Sequence, residues 1–354
     1  MKAATNRYLL QKKRFWAGIL LAQFLLFYLF SKLDFFINLS AGLFEFQKAV
    51  HQRIFAAVHF SVGDVCYIIL AGLFIFLIVK MIRRHSRKKY AIITLIMLNV
   101  FYFIYQLAWG MLYFQPPIMQ QLPKEDITVA EIKSLAIQYL NKCIETRKNV
   151  KEDQSGTFKI TSLQEIKFEI LQQQEAIPLL FNDKKSTGID AFKPSLFSKI
   201  MGFSGILGYY NPFTAEAQYN ALLPSTYLPF TLAHESAHQL GFAREHEANF
   251  IGYLIGKEAT NPELRYSTQY FVLKSLLNAL AEEHPDFVKT IIRQYSPGMK
   301  RDRAAERKHR ETHEGIFEEI FGFTNDLFLK GNRQEGSITY SYFVDLLVRH
   351  ERLK

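Results

Sequence analysis

Three long runs of apolar, almost uncharged residues stand in the first 114 positions, and they limit the fold more than any other feature of the chain. Residues 15–31 follow Lys12, Lys13 and Arg14 and contain no charge; residues 65–82 are broken only by Lys80 near one end; residues 90–114 hold no charge. About 20 apolar residues wound as a helix cross the ~30 Å hydrocarbon layer of a bilayer. No water bonds the backbone there, so such runs are helical. Transmembrane helices are expected over about 15–33, 65–82 and 90–114, forming a membrane domain of residues 1–114. A cleavable signal peptide is the competing reading of the first run. Its length, Gln23 and the missing small-x-small site beyond it favour an anchor.

The net charge of +10 belongs to the same pattern. Basic residues gather in Lys2–Arg14 and Arg83–Lys89, whereas the loop between the first two runs is far less basic. The positive-inside rule then puts the amino terminus and the loop of residues 83–89 in the cytoplasm, and everything after the third run outside it. The charge therefore reads as topology: the partner is the lipid bilayer, and nucleic acid is not expected. Residues 34–64 mix apolar positions with Asp34, Glu45, Lys48, His51, Arg53, His59 and Asp64. They are too polar to span and are expected to lie on or dip into the bilayer surface, with His51 and His59 at the interface. Cys66 and Cys143 are far apart, which speaks against a structural disulfide and excludes a cysteine-ligated metal.

Residues 115–354 form a second domain that is expected to be soluble and extracytoplasmic. Helical spacing runs through 126–146, two short helices are expected at about 163–182, and further helices cover 266–281, 285–295, 302–321 and 340–353. The charged stretch from Lys300 to Glu319 reads as a solvated helix. Glycine and proline interrupt residues 193–212, and Thr214–Leu222 alternates like an extended strand. The fold class is mainly α with a small β element.

Within this domain Ala233-His234-Glu235-Ser236-Ala237-His238-Gln239-Leu240-Gly241 reads His-Glu-x-x-His. On a helix the two imidazoles share one face, at the separation where both bind a single zinc ion. Glu235 then lies beside the open position of the metal, where it can serve as general base for an attacking water. Pro229 suits the first turn of that helix and Gly241 stops it. The competing reading is a buried helix with two satisfied core histidines. A catalytic zinc takes three protein ligands, so a third donor is needed, and Arg244-Glu245-His246-Glu247-Ala248-Asn249 follows. Glu245 shares a helical stripe with Ala248, Asn249, Gly252 and Gly256, small residues that allow two helices to approach; Glu247 shares its stripe with Phe250, Ile251 and Leu254. Glu245 is expected toward the metal, with Glu247 as the alternative.

His234-Glu235-x-x-His238 followed by Glu245-x-x-Ala248-Asn249 resembles the gluzincin zinc metallopeptidases. In them a Glu-x-x-x-Asp on a second helix supplies the third ligand and an aspartate that orients a histidine. Asn249 stands in the place of that aspartate, and an amide holds an imidazole more weakly than a carboxylate. With the Gly-Phe-Ala-Arg-Glu-x-Glu-Ala-Asn-Phe run and the three preceding spans, the chain also resembles the DUF3810 family of bacterial membrane proteins. The resemblance implies a zincin-like domain, a zinc cofactor, a peptide or protein substrate and a hydrolase of the bacterial inner membrane with its C-terminal domain in the periplasm. It further implies that an exposed edge strand, here residues 214–222, pairs with extended substrate. Tyr209, Tyr219 or Tyr340 could assist the oxyanion. The competing function is a non-catalytic sensor or binding protein with a structural or degenerate zinc site. Glu235 argues against it, because a closed structural site has no use for a base.

Overall fold

A computed structural model describes residue 10 and residues 12–83, 85–312 and 339–353, with side chains from 342 in the last segment. Lys2, Arg7, Arg84, residues 313–321 of the expected charged helix and the side chain of Tyr340 lie outside the described residues. The chain opens with four helices: α1 (Lys13–Phe30), α2 (Asp34–Phe55), α3 (Val62–Ile82) and α4 (Arg87–Ala108). Of these, α1, α3 and α4 are long and apolar enough to cross a membrane. Leu21, Leu29, Ile69 and Ile75 face outward, as lipid contact requires, while polar side chains turn inward. Gln23 Nε2 donates to Asn99 Oδ1 at 3.2 Å, and Asn99 Nδ2 donates to the Trp16 carbonyl at 3.1 Å. The helix expected through residue 114 stops at Ala108. Trp109 leaves helical geometry at φ −151°, ψ −48°, and Gly110–Phe114 winds as a 3-10 turn before Pro116 and Pro117.

The segment between the first two spans has two opposed faces. On α2, Phe35, Leu39, Leu43, Phe46, Val50 and Ile54 recur at three- and four-residue steps and are exposed. Ser40, Phe44, Lys48 and Gln52 lie on the other side and are buried against the second half of the chain. There Lys48 Nζ donates to the Lys185 carbonyl at 2.8 Å, and Gln47 Nε2 to the Pro212 carbonyl at 2.7 Å.

The second half begins with α5 (Val129–Arg147), started by a capping box of Thr128 and Glu131. Between 163 and 182 a single helix forms where two were expected, α6 (Leu163–Ala176), because Ile177 turns extended ahead of Pro178. Next come β1 (Phe192–Pro194), α7 (Ser198–Ser204), β2 (Gly208–Asn211) and β3 (Glu216–Tyr219). They make one sheet in the order β1-β3-β2, parallel between β1 and β3 and antiparallel between β3 and β2. The strand expected in 214–222 is therefore central and buried, not an exposed edge. Its two short partners lie among glycines and prolines, where alternation is too brief to read. Among the described residues six helices follow: α8 (Leu228–Leu240), α9 (Glu245–Gly256), α10 (Pro262–Leu280), α11 (Pro285–Arg293), α12 (Pro297–Glu311) and α13 (Thr339–Glu351). The core joins Leu232, Ala237, Phe250, Ile251, Leu273 and Leu347 across them.

The two halves are fastened by buried polar groups at the ends of the membrane helices. Glu216 of β3 accepts from Val62 N at 3.1 Å and Gly63 N at 2.7 Å, filling the unpaired N–H groups that open α3. Asp64 accepts from Leu196 N at 2.7 Å, Ser195 Oγ at 3.0 Å and the Tyr209 hydroxyl. At the C-terminal end of α2, Lys193 Nζ donates to the Ala56 carbonyl at 2.8 Å, a cation where the helix dipole favours one. Cys66 and Cys143 are both free.

Candidate metal centre

Pro229 sits in the first turn of α8, and the helix closes at Gly241 with φ +107°, ψ 17°. That left-handed turn suits glycine, and a Cβ there would also stand 2.8 Å from the Phe44 ring. Gly241 N bonds the His238 carbonyl at 2.9 Å and Phe242 N the Ala237 carbonyl at 3.2 Å, so the chain folds back on the helix end. It then re-enters as α9. The small-residue stripe of α9 faces α8 at Gly252, where a Cβ would stand 3.1 Å from His234 N and 3.2 Å from Ala233 C.

This close crossing brings Glu245 to both histidines. Its Oε2 is 3.2 Å from His234 Nε2 and its Oε1 3.6 Å from His238 Nε2, and one donor atom from each residue lies within 4.8 Å of the others. The opposite ring nitrogens are anchored: His234 Nδ1 is 2.8 Å from Asn249 Oδ1, and His238 Nδ1 is 2.6 Å from the Phe242 carbonyl. Those oxygens accept, so Nδ1 carries a proton, and Nε2 is the atom that each ring would offer a metal once neutral. Burial lowers the His238 imidazole, but the Glu245 carboxylate outweighs it and raises its pKa to about 9. Glu245 shows the reverse balance. Burial pushes it up, and the two imidazoles still hold it well below the carboxylate range. Groups that hold a proton among them in this way release it to a divalent cation.

Glu235 sits beside this trio but takes no part in it. Burial, with the nearby Glu245 carboxylate, raises its pKa to about 7 against the opposing pull of His234 and His238. Its Oε2 is buried and has no hydrogen-bond partner among the described residues. Its Oε1 lies 2.6 Å from the point where a Cβ on Gly208 would stand, so the first residue of β2 makes room by having no side chain. Two imidazoles and one carboxylate beside a buried unpartnered carboxylate fit the ligand set of a catalytic zinc. Glu245 is the most accessible of the three, its side chain 35% exposed against 14% for His234 and 7% for His238.

Other residues singled out from the sequence lie elsewhere. Glu247 accepts from Ile118 N and from Arg244 Nη1, both at 2.9 Å, and Arg244 donates in turn to the carbonyls of Tyr113 and Gln115. It fastens the chain that leaves α4 and does not face the histidines. The His246 ring lies 5.6 Å from that of Tyr342, and burial lowers its pKa. Tyr209 is engaged by Asp64, and Tyr219 is a core residue beneath Lys167. Conversely, Gly208 and Trp109 border the site without having been singled out. The Trp109 ring is 5.9 Å from that of His238, at an interplanar angle of 74°. An aromatic residue closing a span signals an interface, but nothing local to residue 109 points to residue 238.

No curated protein matches the chain, and no solved structure does. One family model, described as a protein of unknown function (DUF3810), matches residues 39–348, from within α2 to near the end of α13. Because that match covers most of the chain, including the sheet and the whole His-Glu site, the chain belongs to the DUF3810 family.

Proposed function

We propose that the chain is a membrane-anchored zinc peptidase that hydrolyses peptide bonds outside the cytoplasm. The reading rests above all on Glu235, a buried carboxylate with an unpartnered oxygen next to two imidazoles and a carboxylate that converge on one point. A buried unpaired oxygen is costly, and a purely structural centre gains nothing from it. His234, His238 and Glu245 would hold the ion, with Asn249 and the Phe242 carbonyl fixing the two rings. Zinc in such a site supplies Lewis acidity, which eases deprotonation of water and polarises a carbonyl. Glu235 takes the proton of the attacking water and delivers it to the leaving amine. Pairing with extended substrate passes from residues 214–222 to β2. That strand is an edge of the sheet and begins with Gly208 against Glu235.

The basic clusters support the orientation, with the amino terminus and residues 83–89 cytoplasmic and the site on the periplasmic side of a bacterial inner membrane. The test is Glu235→Gln in the full-length protein. The substitution removes the base and keeps every ligand, so hydrolysis of a peptide library should fall at least ~100-fold. Zinc content by elemental analysis should stay at the wild-type level. Full activity, or loss of the metal, would assign Glu235 a different role.

A further inference from the structure

We propose that the metal centre opens at the membrane surface and acts on polypeptides held in the bilayer by an apolar segment of their own; this rests on the peptidase reading above. The first observation is depth. Trp109 ends α4 and packs on His238, and Phe44 of α2 occupies the space beside Gly241. The turn between β2 and β3 reaches lower still. There the Phe213 ring meets Phe101 with centroids 5.4 Å apart, and Phe101 precedes the end of α4 by seven residues, about 10 Å along the helix. β2 is level with the first turns of α3, through the ring of Tyr209 against Tyr67 at 6.4 Å and its hydroxyl on Asp64. The strand that faces Glu235 thus lies at the height where the spans end.

The second observation is the surface around that strand. Leu196, Ile200 and Leu207 lie on or beside α7 and are all exposed, and Leu196 is tied by its N–H to Asp64 at the start of α3. Leu196, Ile200 and Leu207 continue the lipid-facing surface of that helix, where Ile68 and Ile69 are exposed, so the bilayer is what covers them. The outward stripe of α2 forms a second apolar border.

A third observation gives a substrate anchor a place. A groove of about 230 Å³ between α1 and α4 is lined by Leu20, Phe24, Leu98, Phe101, Tyr102 and Tyr105. It ends at Tyr105, which packs on the cluster of Trp109 and Tyr113 beside the metal centre. An apolar helix resting side chains in that groove would end beside this cluster.

The experiment uses the full-length, zinc-loaded protein in phosphatidylcholine vesicles. One randomised peptide library is offered in two forms, fused to a single apolar helix in the same vesicles and free in solution. The anchored form should be cut at least tenfold faster, and the pair Ile200→Lys with Leu207→Lys should reduce that advantage while zinc content is unchanged. Equal rates, or faster cutting of the free form, would overturn the membrane placement and leave the peptidase reading standing. Cutting of neither form by zinc-loaded protein would overturn both.

Discussion

The side chains of Glu245 and Glu247 leave the first turn of α9 in different directions, and a metal tells them apart. Glu245 meets both imidazoles, so Glu245→Ala should strip zinc under mild chelation. Glu247 holds Arg244 and Ile118 N, so Glu247→Ala should keep the ion. It should lose stability instead, by about 1–3 kcal/mol, since it leaves Ile118 N without its acceptor and Arg244 with only the Tyr113 and Gln115 carbonyls. Equilibrium zinc affinity and thermal melts of the two variants separate these effects. Equal zinc loss in both would contradict the assignment. Gly208 makes a different kind of prediction. A methyl group there would press on Glu235 Oε1 at 2.6 Å and on the Gln218 carbonyl at 2.9 Å. Gly208→Ala should therefore slow hydrolysis by roughly 100-fold, the effect of misplacing a reacting group by about 1 Å, with zinc still bound. Unchanged turnover would remove Gly208 from the site.

At the level of elements, the site depends on contacts between helices and strands far apart in sequence. The α8–α9 crossing was legible, because His-Glu-x-x-His and the stripe of Glu245, Ala248, Asn249, Gly252 and Gly256 each follow helical spacing. The sheet was not. β1 and β2 are three and four residues long, and only pairing with β3 gives them a strand's geometry. The same limit hid the attachment of the sheet to the membrane helices. Glu216 read as one polar residue in an alternating strand, and its partners Val62 N and Gly63 N lie more than 150 residues away. Glu216→Ala should uncap α3 and cost about 3 kcal/mol, lowering the Tm of the full chain in detergent. An unchanged melt would show that α3 and the sheet are stable without this bond.

For the molecule as a whole, hydropathy exposed the three spans, because lipid imposes one length and one polarity on whatever crosses it. Hydropathy could not show that the second half of the chain rests on the ends of those spans. That arrangement comes from Trp109 on His238, Phe213 on Phe101, and Asp64 beneath Ser195 and Leu196. Orientation is open to a direct check. A reporter active only in the periplasm, fused after Lys354, should be active, and activity only from a cytoplasmic reporter would reverse the topology.

The metal centre itself has a built-in probe. The chain has two tryptophans, so Trp16→Phe leaves Trp109 as the sole indole, 5.9 Å from the His238 ring. Cobalt(II) bound by His234, His238 and Glu245 should quench that emission. Titration of the chelator-stripped full-length protein should saturate at about one equivalent per chain, with the metal stabilising the fold it binds. Adding His238→Ala should abolish the saturable quench. Emission indifferent to cobalt, or quenched alike without His238, would contradict a metal centre at this site.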